Sequence, residues 1–309
     1  VVLGEGSTIG SALIQHSDIA GVLFTGSTAT AKSIQRMLAH KDGPIVPFIA
    51  ETGGQNCMIV DSTALPEQVV DDVVSSGFQS AGQRCSALRV LFVQEEIADK
   101  VIKMIKGAMK ELHVGDPAYL STDVGPVIDQ KALDALNEHV EYLKDKATLH
   151  FECPIPADNE DGHFFFAPRL YEISDLSVLT KEVFGPCVHV IRFKGTEIDN
   201  VINQVNSTGF GLTMGIHTRI EERAEYLAKH SRAGNIYVNR NMIGAVVGVQ
   251  PFGGRGLSGT GPKAGGPTYL TRLVKENAAP ENVQATNINL DGEVIADDSH
   301  AVERVNQLM

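Results

Sequence analysis

The sequence predicts an α/β fold built around a mainly parallel sheet. Short runs rich in Val, Ile and Phe alternate along the chain with segments of helical periodicity, as in strand–helix–strand units. The chain has 309 residues, 43% of them hydrophobic, so it can bury one or two cores of ordinary size. No sequence repeat of solenoid length is present, which argues against a repeat architecture.

The first strand–helix unit lies near the start of the chain. An apolar run at residues 21–26 predicts a buried strand, and Ser27 then begins a helix that ends before Asp42-Gly43-Pro44. Two more short strands are expected over residues 45–51 and 55–60, separated by a glycine turn.

The next part of the chain predicts a helix over residues 66–80, a loop over 81–86 and a strand over 87–93. The helix that follows carries apolar residues at intervals of four, which predicts a face buried in the core. These residues are Ile97, Val101, Ile105 and Met109.

The second half of the chain repeats the alternation after a polar stretch. Acidic residues within 151–162 predict a solvated surface loop rather than a metal site. Further strands are expected at 188–193, 212–217 and 235–238, with a helix over 220–230 before the last of them.

Charge and composition argue against several classes of partner. The net charge is −12 and no stripe of Lys and Arg is present, so we expect no contact with nucleic acid. The apolar runs are far shorter than the roughly 20 residues that a membrane-spanning helix needs, so no transmembrane segment is expected. Four widely spaced cysteines without a C-x-x-C pair favour reduced thiols in a cytoplasmic protein and predict no metal site.

Cys85 is the cysteine best placed for chemistry. It follows Arg84 in a loop that leads into a strand, and a thiol beside positive charge and free N–H groups can react as the thiolate. Cys57 and Cys187 lie within apolar strand runs, which predicts simple burial, and Cys153 lies in the acidic loop. The local sequence leaves Cys85 open as either a nucleophile or an ordinary thiol.

Glu51 is a candidate general base. It closes an apolar strand and is followed by Thr52-Gly53-Gly54, so partial desolvation should raise its pKa. The alternative is an ordinary carboxylate at a strand end. A candidate thiol and a candidate base, each beside a glycine-rich turn, favour the catalytic interpretation of both.

Five motifs occur in an order that resembles the aldehyde dehydrogenase superfamily. They are Phe24-Thr25-Gly26-Ser27, Glu51-Thr52-Gly53-Gly54, Gly82-Gln83-Arg84-Cys85, Lys181-Glu182-Val183-Phe184-Gly185-Pro186 and Pro251-Phe252-Gly253-Gly254. The separation of Glu51 from Cys85, 85 − 51 = 34, is also similar to that of the family. The resemblance implies an aldehyde dehydrogenase-like fold, with part of a Rossmann-type cofactor domain followed by a complete α/β catalytic domain.

The resemblance implies that Cys85 attacks an aldehyde and that Glu51 activates the water that hydrolyses the thioester. NAD is the implied cofactor. Gly26 and Ser27 would hold its pyrophosphate, because a helix N-terminus presents free N–H groups to an anion. The remaining cofactor residues that the resemblance implies are Thr52, Gly53, Glu182 for the nicotinamide ribose and Phe184 near the nicotinamide. Core packing is the alternative for Phe184.

The glycine-rich segments 243–254 and 259–267 are similar to the branch of the family that oxidises glutamate γ-semialdehyde, the open form of Δ1-pyrroline-5-carboxylate. The resemblance implies that backbone N–H groups at Gly244 and Ala245 hold the α-carboxylate of the substrate, together with the Ser86 hydroxyl. It also places Phe78 and Phe252 beside the aliphatic chain of the substrate. A hydroxyl satisfied within its own loop is the alternative for Ser86, and a flexible surface loop is the alternative for the glycines.

The resemblance implies a domain organisation as well. Residues 1–50 would form the C-terminal part of the NAD-binding domain and 51–255 the catalytic domain. Residues 256–285 would continue the substrate loop and supply an oligomerisation strand, so a homo-oligomer is expected, and 286–309 would be a tail leading towards a further domain.

Within that branch, the sequence is most similar to the C-terminal half of bifunctional bacterial enzymes. FAD is therefore implied only if a proline dehydrogenase domain lies upstream, and a full-length protein of that kind could sit at the periphery of the inner membrane. The first strands of the cofactor domain, a Lys for the adenosine ribose and an Asn for the oxyanion hole are not found in residues 1–309. We expect these residues alone to bind NAD weakly and to turn over slowly.

Three other functions stay open on sequence grounds. The chain could oxidise another small aldehyde, or act as a thiol esterase that needs no cofactor. It could also be a catalytically incompetent fragment with a structural role.

Overall fold

The structure is a computed structural model that describes residues 1–156 and 164–274. The chain divides into a unit over Val1–Arg272 and a second over Leu273–Met309, and the fold below is that of the first unit. The predicted tail at 286–309 and the predicted oligomerisation strand beyond residue 274 lie outside the described residues, as do residues 157–162 of the predicted acidic loop.

Strands and helices alternate through most of the first unit, as the sequence predicts. In chain order the strands are β1 (Val22–Thr25), β2 (Phe48–Glu51), β3 (Cys57–Val60), β4 (Val90–Gln94), β5 (Ala147–Glu152), β6 (Arg169–Ile173), β7 (Cys187–Phe193), β8 (Phe210–Gly211), β9 (Thr213–His217), β10 (Asn235–Val238) and β11 (Arg255–Gly256). The helices are α1 (Ser11–Gln15), α2 (Thr28–His40), α3 (Pro66–Phe78), α4 (Glu95–Lys110), α5 (Gln130–Leu143), α6 (Ile198–Ser207) and α7 (Glu221–His230).

Seven of the strands form one sheet in the order β10-β9-β3-β4-β7-β6-β5. Every neighbouring pair in it is parallel except β5 with β6, which are antiparallel at one edge. Strands β1 and β2 form a separate parallel pair, and β8 and β11 form a short antiparallel pair. The predicted α/β class with a mainly parallel sheet is therefore confirmed.

The core lies around the central strands of the large sheet. All residues of β3 and β4 are buried, which is expected for parallel strands covered on both faces. Helix α4 packs on them through the predicted stripe, since Val101, Ile105 and Met109 are fully buried and Ile97 is partly buried against the same core.

The predicted start of α2 is confirmed by a single contact, whereas the predicted start of β4 is not. Ser27 caps α2, because its hydroxyl accepts a hydrogen bond from Thr30 N over 3.1 Å. Strand β4 begins later than predicted, at Val90. Its predicted first residues instead bond outside the sheet, with Leu88 N donating to Ser76 O and Arg89 N donating to Asn56 O.

The prediction of a surface loop beginning at residue 151 is wrong for its first residues. Phe151 and Glu152 belong to β5 and pair with Leu170 and Arg169. The charge of Glu152 is tolerated there because its carboxylate bonds Arg169 Nε over 2.8 Å at the sheet edge. Cys153, expected in an exposed acidic loop, is buried and donates to Met109 O.

The topology places parts of three of the five motifs at the same end of the large sheet. The segments before β3, β4 and β7 are residues 52–56, 82–89 and 181–186. All three lie at the amino-terminal ends of the parallel strands. Gly26 and Glu51 lie instead at the carboxyl ends of β1 and β2. The short connection from β2 to β3 links the carboxyl end of β2 to the amino-terminal end of β3.

Candidate active site

The loop that carries Cys85 has an unusual backbone. Ser80, Ala81 and Gly82 follow one another with φ values of 55°, 50° and 63°, in the left-handed region that disfavours most residues. A Cβ on Gly82 would lie 2.2 Å from Gly185 O, so this turn packs backbone to backbone on the segment before β7. The turn fixes the direction in which the chain enters Cys85.

We expect the variant Gly82→Ala to lower the free energy of unfolding by about 1–3 kcal/mol, because alanine adds a collision in a left-handed conformation. Urea unfolding measures the change. Gly107→Ala is the matched control, since Gly107 lies within α4 with no heavy atom within 4 Å of an added Cβ. This control should gain about 0.5–1 kcal/mol from helix propensity. Equal stability of the two variants would contradict the account of the turn.

Arg89 bonds the main chain of the loop that carries Cys85. Its side chain is fully buried, and Nη1 donates to Gly82 O over 2.6 Å while Nη2 donates to Arg84 O over 3.1 Å. Nη2 also meets Glu182 Oε1 at 3.2 Å. One guanidinium therefore ties the Cys85 loop to the segment before β7.

Asn56 holds the same loop from the side of β3. Its amide Nδ2 donates to Cys85 O over 2.7 Å and to Ala87 O over 2.9 Å, and its Oδ1 accepts from Thr213 N. Neither Asn56 nor Arg89 is among the residues expected to form the site. The signal was present for Arg89, since it is a lone charge within the apolar run 87–93.

Cys85 is the partly exposed thiol among four free cysteines, and the other three are buried. Burial raises its pKa above the ordinary value, while the N–H groups of Ser86 and Cys85 itself act in the opposite direction. The nearby Glu182 charge also raises this pKa and the Arg89 charge lowers it. The expected help from Arg84 is absent from these causes, and the Arg84 guanidinium bonds the Ser80 hydroxyl instead.

Glu51 lies in a cradle of glycine backbone at the end of β2. Its Oε2 accepts from Gly254 N over 2.9 Å, and added Cβ atoms on Gly253 and Gly259 would lie 2.7 and 2.9 Å from its oxygens. Its Oε1 is buried and has no hydrogen-bond partner among the described residues. Burial raises the pKa of this carboxyl to about 7, although the Gly254 N–H and Lys263 act to lower it. A carboxyl with this pKa can hold or release a proton near neutral pH.

Glu182 lies near the Cys85 thiol and beside the turn that follows Glu51. A Cβ on Gly53 would fall 1.7 Å from Glu182 Oε2, so the carboxylate packs directly on the turn that follows Glu51. The negative charge of the same carboxylate raises the pKa of the Cys85 thiol. Phe184 is 43% exposed, and its ring centroid lies 5.1 Å from Arg89 Cζ. The alternative of core packing for Phe184 is therefore wrong.

Gly26 and Ser27 are exposed at the N-terminus of α2, and Gly26 N donates to Glu51 O over 3.1 Å. Thr52 is buried, and its hydroxyl donates to Leu257 O over 2.6 Å. This bond engages the Thr52 hydroxyl with the protein main chain. A contact between Thr52 and a cofactor stays a prediction.

The residues expected to bind substrate fall into two groups. Gly244 is exposed with a φ of 82°, Ala245 is partly buried and Phe252 is partly exposed. Ser86 is buried in the Cys85 loop, and its carbonyl accepts from the Thr213 hydroxyl. Phe78 does not fit the expectation, because its ring is fully buried in the main core.

Among residues 1–156 and 164–274, no group of three or more His, Cys, Asp and Glu side chains could hold a metal ion. Within the same residues, no helix is both long and apolar enough to traverse a bilayer.

Comparison with known proteins identifies the family. Residues 1–278 match the family described as "Aldehyde dehydrogenase family". The chain is 50% identical over 293 residues to "Bifunctional protein PutA" of Escherichia coli (strain K12), covering 92% of this chain and 22% of that protein. It is 36% identical over 273 residues to "1-pyrroline-5-carboxylate dehydrogenase" of Geobacillus thermodenitrificans (strain NG80-2), covering 86% of this chain and 52% of that protein. The chain thus spans between a fifth and about half of the length of these relatives.

Solved structures agree in fold. A crystal structure of bifunctional proline utilization A (PutA) superposes with a TM-score of 0.84 at 58% identity, over 87% of this chain and 27% of that one. The 1-pyrroline-5-carboxylate dehydrogenase from Thermus, described with bound NAD, gives a TM-score of 0.82 at 30% identity, over 88% of this chain and 52% of that one. These matches establish that the chain belongs to the aldehyde dehydrogenase family.

Proposed function

We propose that the chain supplies the catalytic residues for NAD-dependent oxidation of glutamate γ-semialdehyde to glutamate. Two observations support the proposal. Cys85 is a partly exposed thiol that lies near the Glu182 charge, and Glu51 is a desolvated carboxyl two residues before the Gly53 turn on which Glu182 packs. Relatives named PutA and 1-pyrroline-5-carboxylate dehydrogenase support the choice of substrate.

The chemistry divides into two steps on the Cys85 sulfur. The thiolate adds to the aldehyde carbon, a C–S bond forms, and the Cys85 N–H donates to the oxygen that becomes negative. NAD bound beside Cys85 would supply the hydride acceptor, and loss of the hydride from the adduct would give a thioester on Cys85. Glu51 then takes a proton from a water molecule, the resulting hydroxide adds to the thioester carbon, and cleavage of the C–S bond releases the carboxylic acid.

The residues present fit a dinucleotide. The exposed N-terminus of α2 at Gly26 and Ser27 offers N–H groups to a pyrophosphate. Glu182 is held by Arg89 with its second oxygen beside Gly53, and it can accept hydrogen bonds from ribose hydroxyls. The exposed ring of Phe184 offers an apolar surface beside it.

Recognition of the α-carboxylate is assigned to the backbone at Gly244 and Ala245, in the segment 243–250 that we call the anchor loop. Gly244 has a φ of 82°, and no heavy atom lies within 4 Å of an added Cβ. Consecutive N–H groups in such a turn form a concave site for an anion without a buried charge. The loop distinguishes an aldehyde that carries a carboxylate from one that does not.

We expect Gly244→Ala to raise KM for glutamate γ-semialdehyde about tenfold, because the strained φ moves these N–H groups and weakens about one charge-assisted hydrogen bond. KM for propionaldehyde, which has no carboxylate, should not change. NADH formation measures both. A wild-type protein that oxidised the two aldehydes equally well would contradict the proposed substrate.

The domain organisation belongs to the same proposal. Residues 1–50 form the C-terminal part of a cofactor domain and 51–255 the catalytic domain, in a cytoplasmic homo-oligomer. Residues 256–285 continue the anchor loop towards an oligomerisation strand.

A further inference from the structure

One face of α3 holds the backbone that leads from β10 into the anchor loop. Gln68, Asp72 and Ser76 are spaced by four residues and therefore lie on one side of the helix. Gln68 and Ser76 bond the main chain of the segment 239–242, with Gln68 Nε2 donating to Asn239 O over 2.7 Å and Met242 N donating to Ser76 Oγ over 3.0 Å. Between them, burial raises the pKa of Asp72 and the nearby Asn241 N–H acts to lower it.

Ser76 also bonds the main chain of the Cys85 loop. Its side chain is fully buried, and its carbonyl accepts from Leu88 N over 3.0 Å. Leu88 follows Cys85 by three residues, and Met242 precedes Gly244 by two. Ser76 therefore connects the Cys85 loop to the start of the anchor loop.

The middle of the anchor loop has little packing of its own. Val246, Val247 and Val249 are exposed, and Gly248 has a φ of 81°. A loop whose side chains point into solvent is positioned mainly by the bonds at its base. Asn239 fixes the turn at that base, since its φ is 51° and its side-chain amide bonds both the N–H and the carbonyl of Thr218.

We propose that Ser76 and Gln68 are positioning residues that set the distance between Cys85 and the carboxylate-binding backbone at Gly244 and Ala245. They thereby determine the selectivity for aldehydes that carry an anionic group at the far end. The inference rests on the proposed function. A displacement of the loop weakens the hold on the carboxylate without altering the chemistry at Cys85, so KM changes and kcat does not.

The test compares two adjacent serines. Ser76→Ala removes the hydroxyl that accepts from Met242 N, whereas Ser75→Ala removes a hydroxyl that donates to Asp72 O within the helix. Ser76→Ala should raise KM for glutamate γ-semialdehyde about tenfold, with kcat and the constants for propionaldehyde changed by less than about twofold. Ser75→Ala should behave as the wild type.

Two further measurements guard against a general loss of folding. Gln68→Met keeps the length of an exposed side chain but removes the donor to Asn239 O, and it should raise the same KM about threefold. Calorimetry with L-glutamate, which carries the same α-carboxylate, should show a weaker affinity for Ser76→Ala by the same factor as the KM.

The outcomes separate this inference from the proposed function. A wild type without preference for the carboxylated aldehyde would overturn both. A wild type that keeps the preference, with Ser76→Ala either unchanged or impaired equally towards both aldehydes, would overturn the inference alone.

Discussion

Replacement of Cys85 by Ala should lower kcat for aldehyde oxidation by at least about 10⁴-fold, because the variant has no atom that can form the thioester. The other thiols cannot take over this reaction. Burial raises the pKa values of Cys153 and Cys187 to about 12, and it raises that of Cys57 as well. NADH formation at saturating aldehyde and NAD measures the loss.

Cys153→Ala is the matched control for Cys85→Ala. It removes a buried thiol whose Sγ donates to Met109 O, and it should keep kcat within about twofold. Residual turnover of Cys85→Ala above a few per cent would show that another group attacks the aldehyde. Thermal unfolding of both variants confirms that each is folded.

Replacement of Glu51 by Gln should lower kcat by about 10²- to 10⁴-fold, because glutamine cannot accept a proton from water. The wild-type rate should depend on pH. Burial raises the pKa of Glu51 to about 7, and the base form is the deprotonated one, so activity should fall about tenfold for each pH unit below 7. The residual activity of Glu51→Gln should not show this fall below pH 7.

Stability provides the control for Glu51→Gln. The pKa of Glu51 is higher in the folded chain than its ordinary value of 4.5, so its contribution to stability is present below about pH 4.5 and is lost as pH rises through about 7. The neutral glutamine avoids this loss, and the variant should resist urea at pH 8 at least as well as the wild type. A pH profile of the variant that matched the wild type would assign the titration to another group.

Local signals predicted the parts of the fold that depend on near neighbours in sequence. The Ser27 cap needs only the Thr30 N–H, and β10 occupies the predicted residues 235–238. The stripe on α4 shows its buried face in its own spacing. These features depend on residues that are close together in the sequence.

Features that depend on distant partners were missed. Helix α5 is absent from the sequence-based expectations because its buried face includes His139, which reads as polar but meets His189 with 2.9 Å between the two Nε2 atoms. Strand β6 and helix α6 were also not predicted. The lone charge of Arg89 in an apolar run marks the residue, but its partners include a carbonyl group 96 residues away, and no local pattern identifies them.

The candidate site follows the same division. The expected partial desolvation of Glu51 is confirmed, and Cys85 is the partly exposed thiol, but their catalytic roles stay a prediction. Phe78 was placed wrongly because the end of α3 turns its ring into the core. The links from Ser76 to both loops could not be predicted from spacing, since they join residues 12 and 166 positions apart.

Identification of the covalent intermediate tests the central claim most directly. The protein is mixed with NAD and glutamate γ-semialdehyde at pH 6, where a protonated Glu51 slows hydrolysis, then quenched in acid and mapped by peptide mass spectrometry. An acyl group on the Cys85 peptide is the predicted result. NADH formation with no adduct on Cys85, or with the adduct on another cysteine, would contradict the account.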